Sequence, residues 1–341
     1  MSGEKIPYHL RPNKFVERAL FIDALAHVNR YSPISEYLYV SFAGPYLEDF
    51  KVIHAAFGNR KMLSLEQSDW VYQRQQFNVP YGCVQCTNKT SQQFITDYTD
   101  TLDTFGNPRA LIWLDYAAAD KIREQLTEFE ALVAKLKQLD ILKITVNANP
   151  SSIDGGNDAD YEAEDERWNR RLQTLRERVG DYLPNDATAE QMKHSAYPSL
   201  LLRAIHKAAT NAMVGASHLV FHPLAAYVYE DTHQMLTLTG IALGRRDVEH
   251  FLEVTGLNTD EFATNNWSDI VRINVPYLSP REKFYLDGLI FRQTQKNNRS
   301  KLKKSTKLKV TLAPTAAANK DLAERYIRFY RYYPHYHRIH Y

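Results

Sequence analysis

The chain has 341 residues, 44% of them hydrophobic and 24% charged, which is enough to bury one large core or two modest ones and too balanced for a disordered polymer. No apolar run reaches the roughly 18 residues of a spanning helix, and MSGEKIPYHLRPNKF lacks the apolar stretch of a secretory leader, which predicts a cytoplasmic protein. The formal net charge of +2 is small, and the two cysteines are too few for a disulfide framework.

After an N-terminal helical segment over residues 1–30, the first half alternates short apolar runs with helix-length amphipathic stretches, the pattern of βα units feeding a mainly parallel sheet. Strands are predicted over 37–42, 61–66, 81–86, 109–115 and 141–147. The clearest helix is predicted over 120–139, where Ile122, Leu126, Phe129, Leu132, Val133 and Leu136 form one apolar stripe. Alternation stops at NPSSIDGGNDADYEAEDERWNRR, in which seven of the thirteen residues from Asp154 to Glu166 are acidic, and a helical insertion is predicted over about 151–214. A helix is expected there from Thr188 to about Met213. HLVFHPLAAYVYEDTHQMLTLTGIAL then reads as two strands joined by the polar Glu230 to Gln234, an antiparallel pair.

Residues 246–291 read as a small helical extension, with Ser279 capping and Pro280 opening one helix. The tail over 292–341 holds eight Lys or Arg and no acid between Arg292 and Lys309, and six Tyr in its last sixteen residues. Such a tail has the charge to meet phosphates and the rings to stack on bases, so it reads as a nucleic-acid contact, with a solvated linker and a terminus docked on its own domain or a protein partner as the alternatives.

Five parallel strands followed by an antiparallel pair resemble the Rossmann-like, seven-stranded sheet of class I S-adenosylmethionine methyltransferases, whose last strand runs antiparallel; the likeness covers residues 31–245. Stretches resembling VSFAGPYLEDF, RQQFN and IWLDY also occur in bacterial O-methyltransferase-type proteins. The resemblance implies S-adenosyl-L-methionine as cofactor, approached by the turn after the first strand at Phe42 and Gly44, where this chain keeps a single glycine of the usual Gly-rich loop. It places Glu66 and Gln67, at the end of the second strand, at the ribose hydroxyls. Asp115 and Tyr116, after the fourth strand, fall at the site of methyl transfer. Ligands of open α/β sheets gather beyond the carboxyl ends of the strands, so Gly44, Glu66, Asp115 and Asn147 are expected to converge on one crevice.

Arg74 and Asn78 in DWVYQRQQFN, with Lys143 and Asn147 in LKITVNANP, are the substrate-binding candidates. The competing reading makes DWVYQRQQFN an ordinary amphipathic helix that buries Trp70, Val71 and Phe77. Cys83 and Cys86 on a strand are expected to face opposite ways, and His218 and His222 have no acid nearby to complete a metal triad. No metal site is predicted, and the adenine-methylating DPPY-type tetrapeptide is absent. Two functions follow: a methyltransferase of unknown acceptor, or a methyltransferase-like scaffold reused as a binding subunit, for instance in nucleic-acid-directed antiviral defence. An open crevice beside Gly44 favours the first, and one filled by Phe42, Pro45 or Tyr46 favours the second.

Overall fold

The computed structural model describes residues 11–153, 163–295, 298 and 300–335. Its strands are β1 (Leu38–Ser41), β2 (Lys61–Glu66), β3 (Val84–Asn88), β4 (Ala110–Asp115), β5 (Ile141–Asn147), β6 (Leu219–Glu230), β7 (Gln234–Gly244) and β8 (Val271–Ile273). Its helices are α1 (Pro12–Val28), α2 (Glu48–Phe57), α3 (Asp69–Asn78), α4 (Ser91–Thr96), α5 (Tyr98–Thr104), α6 (Ile122–Val133), α7 (Glu164–Val179), α8 (Tyr197–Ala212), α9 (Val248–Thr255), α10 (Pro280–Asp287), α11 (Ile290–Gln293) and α12 (Ala316–Phe329).

The strand order is β3-β2-β1-β4-β5-β7-β6-β8. β1 to β5 pair in parallel, and β7 enters antiparallel to β5 with Ile141 opposite Ile241 and Asn147 opposite Met235. This is the expected Rossmann-like sheet with one short strand, β8, beyond the predicted seven. Buried on both faces, β4 reads as a near-continuous apolar stretch, and β5 is buried along its whole length although Lys143, Thr145 and Asn147 alternate with its apolar residues. Even residues Leu38, Val40, Ile112, Leu114, Ile144 and Val146 face one apolar cluster, and odd residues Tyr39, Leu111, Trp113 and Ile141 face the other.

Residues 21–228 and 233–271 form one compact unit, and the described residues of 2–20, 229–232 and 272–341 form a second. The segment predicted as an insertion belongs to the core of the first unit, because Leu172, Leu175, Leu201, Ile205 and Ala208 of α7 and α8 join the even-residue cluster. Residues 154–162, most of the acidic stretch, lie outside the described residues. In the second unit Tyr326, Phe329 and Tyr333 are buried, Tyr326 Oη donates to Asp287, and Tyr333 Oη donates to the Pro276 carbonyl at 2.9 Å and accepts from the Leu278 amide at 3.1 Å. Tyr326, Phe329 and Tyr333 are therefore core side chains, while Tyr330 and Tyr332 are half-buried. Residues 336–341 lie outside the described residues.

Several boundaries differ from expectation for local reasons. β3 begins at Val84 rather than at 81, since the Val84 amide closes a turn on the Tyr81 carbonyl at 3.1 Å. Cys83 thus precedes the strand, and both cysteines pack against the same apolar cluster rather than facing opposite ways. The helix predicted over 120–139 stops at Val133, because Leu139 adopts φ +75° and Asp140 accepts the Lys137 amide at 2.7 Å. The helix expected from Thr188 is split: a short turn covers Ala189–Met192, and Pro198 opens α8. Ser279 and Glu282 cap α10 reciprocally, as predicted.

Candidate functional site

Strand β1 is short, and that shapes the candidate site. It ends at Ser41, level with Ser64 of β2 and Trp113 of β4, whereas its neighbours run two residues further to Glu66 and Asp115. With strands about 4.8 Å apart, the backbones of Glu66 and Asp115 flank a notch about 10 Å across. The chain leaving β1 turns within that notch through Phe42, Ala43 and Gly44. Asp115 is level with Thr145, and β5 continues beyond it to Asn147 on the far side of Asp115. The carboxyl ends of four strands thus meet as predicted, and Gly44, Glu66, Asp115 and Asn147 share one edge of the sheet.

The turn is unusual backbone. Gly44 has φ +57°, and a Cβ placed on it would meet no heavy atom within 4 Å outside its chain neighbours Ala43 and Pro45. The space that a side chain at position 44 would enter is clear of Phe42 and Tyr46, while Pro45 is buried beside it. Leu47, three residues on, also has positive φ (+50°) at the start of α2, a conformation costing a non-glycine residue about 1–2 kcal/mol, which burial of its side chain offsets. At the end of β1 the buried Ser41 hydroxyl has no hydrogen-bond partner among the described residues.

Helix α3 clamps the turn from the side. Gln75, fully buried, accepts from Ser64 Oγ at 3.0 Å and donates to the Gly44 carbonyl at 3.0 Å. Asn78 donates to the Pro45 carbonyl at 2.8 Å. The buried side of α3 is therefore Val71 and Gln75, and the predicted burial of Trp70 and Phe77 is corrected: they are 50% and 91% exposed. Arg74 lies over the rings of Tyr46 (5.4 Å) and Trp70 (5.6 Å) on this exposed side.

The other predicted residues are placed as follows. Glu66 Oε1 accepts from the Ser68 amide at 2.8 Å, and Gln67 is exposed beside it. The Asp115 carboxylate accepts no hydrogen bond from a described residue. Tyr116 gives its hydroxyl proton to Glu128 of α6, and burial and that carboxylate hold its pKa well above the usual phenol value. Its ring, 5.8 Å from that of Phe42, forms one wall of the notch. Asn147 Oδ1 accepts from the Asn149 amide at 2.9 Å, a local turn. Lys143 is not brought to the notch: it is fully buried mid-strand, with Nζ 3.5 Å from the centre of the Trp113 ring and 4.0 Å from that of Phe21. Ser41 and Leu47 were missed, and Gln75, read from the sequence as one of a polar, substrate-facing group with Arg74, Gln76 and Asn78, instead faces inward and holds the turn. The recurrence of Val71 and Gln75 four residues apart is the sequence signal that marks Gln75 as inward-facing.

A sequence profile of the family described as "Putative O-methyltransferase" matches residues 6–341. The chain belongs to this family. No curated protein matches it in sequence. Among solved structures, this O-methyltransferase family member is similar to Trm1 from Pyrococcus horikoshii with S-adenosyl-L-methionine, at 12% identity and TM-score 0.40, over 70% of this chain and 58% of that one. It is also similar to the plantazolicin methyltransferase BpumL in complex with a desmethyl analogue and SAH, at 11% identity and TM-score 0.39, over 67% and 85% of the two chains. A third is the fibrillarin/Nop5p complex, at 10% identity and TM-score 0.30, over 61% and 72%. These likenesses are of backbone alone.

Proposed function

We propose that the notch at the carboxyl end of β1 binds S-adenosyl-L-methionine and that the protein transfers its methyl group to an oxygen of a small or macromolecular acceptor. The observation that carries the reading is the open space beside Gly44, at positive φ, between the ends of two strands that carry Glu66 and Asp115. The residues fit the group: the turn lets backbone approach a ligand with no side chain between, and the partnerless Ser41 hydroxyl lies at its base. Glu66 would accept from the two ribose hydroxyls, with Gln67 beside it. Asp115 and Asn147 would line the acceptor side.

S-adenosylmethionine, when bound, would supply an activated methyl carbon on sulfonium sulfur, the acceptor oxygen forming the new C–O bond as the C–S bond breaks and its electron pair goes to sulfur. The chain's task is positioning and exclusion of water. Asp115, with no hydrogen bond to a described residue, is the group placed to receive the acceptor's proton. Tyr116, its proton committed to Glu128, shapes the wall and moves no proton. Arg74 and Asn78 divide: Asn78 holds the turn, and Arg74 with Tyr46 and Trp70 offers a surface to the acceptor.

The test is photo-crosslinking with methyl-tritiated S-adenosylmethionine followed by peptide mapping. Label within 42–47 and 66–70, lost in Glu66→Ala, supports the proposal; label elsewhere or none sinks it. The clear space at Gly44 supports this reading; a scaffold that binds no cofactor is the alternative that the same experiment decides. For the second unit, nucleic-acid contact remains our proposal only through its exposed lysines Lys303, Lys304, Lys307 and Lys309.

A further inference from the structure

A second cluster of chemistry-bearing residues lies at the other end of the strands. Asp23 and His27 stand one turn apart on α1, and Asp260 follows α9 in the chain; one ligand atom from each lies within 4.8 Å of the others. All three are partly buried. α1 leads by way of Ser32 and Ile34 into the amino end of β1, so the length of β1, about 13 Å, separates this cluster from the notch.

The cluster is oriented by groups outside it. The Thr255 carbonyl lies 2.7 Å from His27 Nδ1, and a carbonyl only accepts, so Nδ1 carries the proton and Nε2 faces Asp260. That is the tautomer in which backbone partners hold metal-ligating histidines. Asp260 is fixed in the same way: its Oδ1 accepts from the amides of Phe262 (2.7 Å) and Ala263 (3.0 Å), which turns Oδ2 toward the imidazole.

The spacing then distinguishes two uses. A charge-assisted hydrogen bond between imidazolium and carboxylate closes to about 2.7–2.9 Å. His27 Nε2 and Asp260 Oδ2 stand 3.5 Å apart. Two ligands of one tetrahedral ion with bonds of about 2.0–2.1 Å are separated by about 3.3–3.4 Å, the edge of the tetrahedron. The observed gap lies near the edge and is longer than the closed bond, and with the three ligand atoms within 4.8 Å of one another the cluster needs only a small closure to hold an ion.

We infer that Asp23, His27 and Asp260 form a structural binding site for a divalent cation of the zinc type, with one nitrogen and two carboxylate oxygens as ligands and water in the fourth position. Its effect is to tie the end of α1 to the segment after α9. Arg30 donates to the same Thr255 carbonyl at 2.9 Å, so its charge lies near the cluster and opposes any cation there, and affinity must come from coordination by the imidazole and carboxylates. Mg²⁺, which prefers six oxygens and keeps its waters, should therefore bind far more weakly.

The experiment uses the full chain, stripped with chelator, dialysed, and titrated calorimetrically with zinc chloride; manganese and magnesium chlorides are run in parallel. One Zn²⁺ per chain is expected with micromolar or tighter affinity. Thermal melting should rise by about 5–10 °C at a hundredfold excess over Kd. His27→Gln and Asp260→Asn should each weaken binding at least tenfold, with unchanged far-ultraviolet circular dichroism; Asp23→Asn, the mildest change, is the control should either fail to fold. Affinity for S-adenosylmethionine should be unchanged throughout. No zinc heat at 100 µM protein would overturn the inference and leave an ion pair between His27 and Asp260. Zinc binding that persists undiminished in all three variants would overturn it equally, by locating the ion at other histidines.

Discussion

Gln75→Ala tests how the turn beside the notch is held. The substitution removes the acceptor of Ser64 Oγ and the donor to the Gly44 carbonyl, both at 3.0 Å, from a side chain with no exposure. Ser64 is itself fully buried, so its stranded hydroxyl costs about 1–3 kcal/mol, while the half-buried Gly44 carbonyl recovers part of its bond from water at about 0.5–1 kcal/mol. The sum, about 2–4 kcal/mol, corresponds to a fall in melting temperature of about 5–15 °C for a unit of this size. Freeing one residue's backbone costs about 1–2 kcal/mol to reorder, so affinity for S-adenosylmethionine should drop about tenfold. The assay is differential scanning calorimetry paired with ligand titration at a temperature where the variant is folded. Gln75→Glu keeps an acceptor for Ser64 but turns a carboxylate on the Gly44 carbonyl, and should lose affinity while recovering part of the stability. A melting temperature within 2 °C of wild type and an unchanged affinity for Gln75→Ala would refute the reasoning that α3 preorganises the turn.

Gly44→Ala should cost about 1–2 kcal/mol from φ +57° alone, yet lower ligand affinity more than that strain explains, since its methyl enters the open space; equal affinities by calorimetry would place the ligand elsewhere. Asp140 is pushed up to about 6 by burial, despite amide bonds from Ala110 and Lys137. Its protonated form is therefore favoured by folding between about pH 4 and 6, and stability from this group falls as pH rises through that window, by about 3 kcal/mol in total. Urea denaturation across pH 4–7 should show this slope in wild type and lose it in Asp140→Asn; an unchanged slope in the variant would reassign it. Replacing Lys303, Lys304, Lys307 and Lys309 by Gln should abolish salt-sensitive binding of labelled RNA or DNA in fluorescence anisotropy, and wild-type binding by the quadruple variant would end the nucleic-acid reading.

The sheet was legible in the sequence because its strands are buried on both faces, and β2 and β5 match their apolar runs residue for residue. The boundaries that moved were set by backbone geometry that composition does not carry: positive φ at Leu139, the turn closing on Tyr81, and Pro198 opening a helix after Lys193 to Ala196 have turned. The strand-end positions of Glu66, Asp115 and Asn147 were legible from the apolar runs they close. Lys143 was misplaced because a cation in a strand reads as polar, whereas the Trp113 and Phe21 rings give it a partner in the core. Trp70 and Phe77 read as buried by hydrophobicity, although Gln75 holds the inward side by bonds no periodicity scale counts. The aromatic terminus read as a stacking surface because residue type does not reveal that Tyr326 and Tyr333 find partners at Asp287 and Pro276.

Isothermal titration of the wild-type chain with S-adenosylmethionine and, separately, its demethylated product tests the central claim most directly. The notch at the end of β1 predicts one site per chain with saturable heat from both ligands, and a Kd raised at least tenfold in Glu66→Ala, which loses the acceptor for the ribose hydroxyls. Absence of heat from the folded wild-type chain at ligand concentrations of about 1 mM, where binding would be weaker than about 4 kcal/mol, would contradict it.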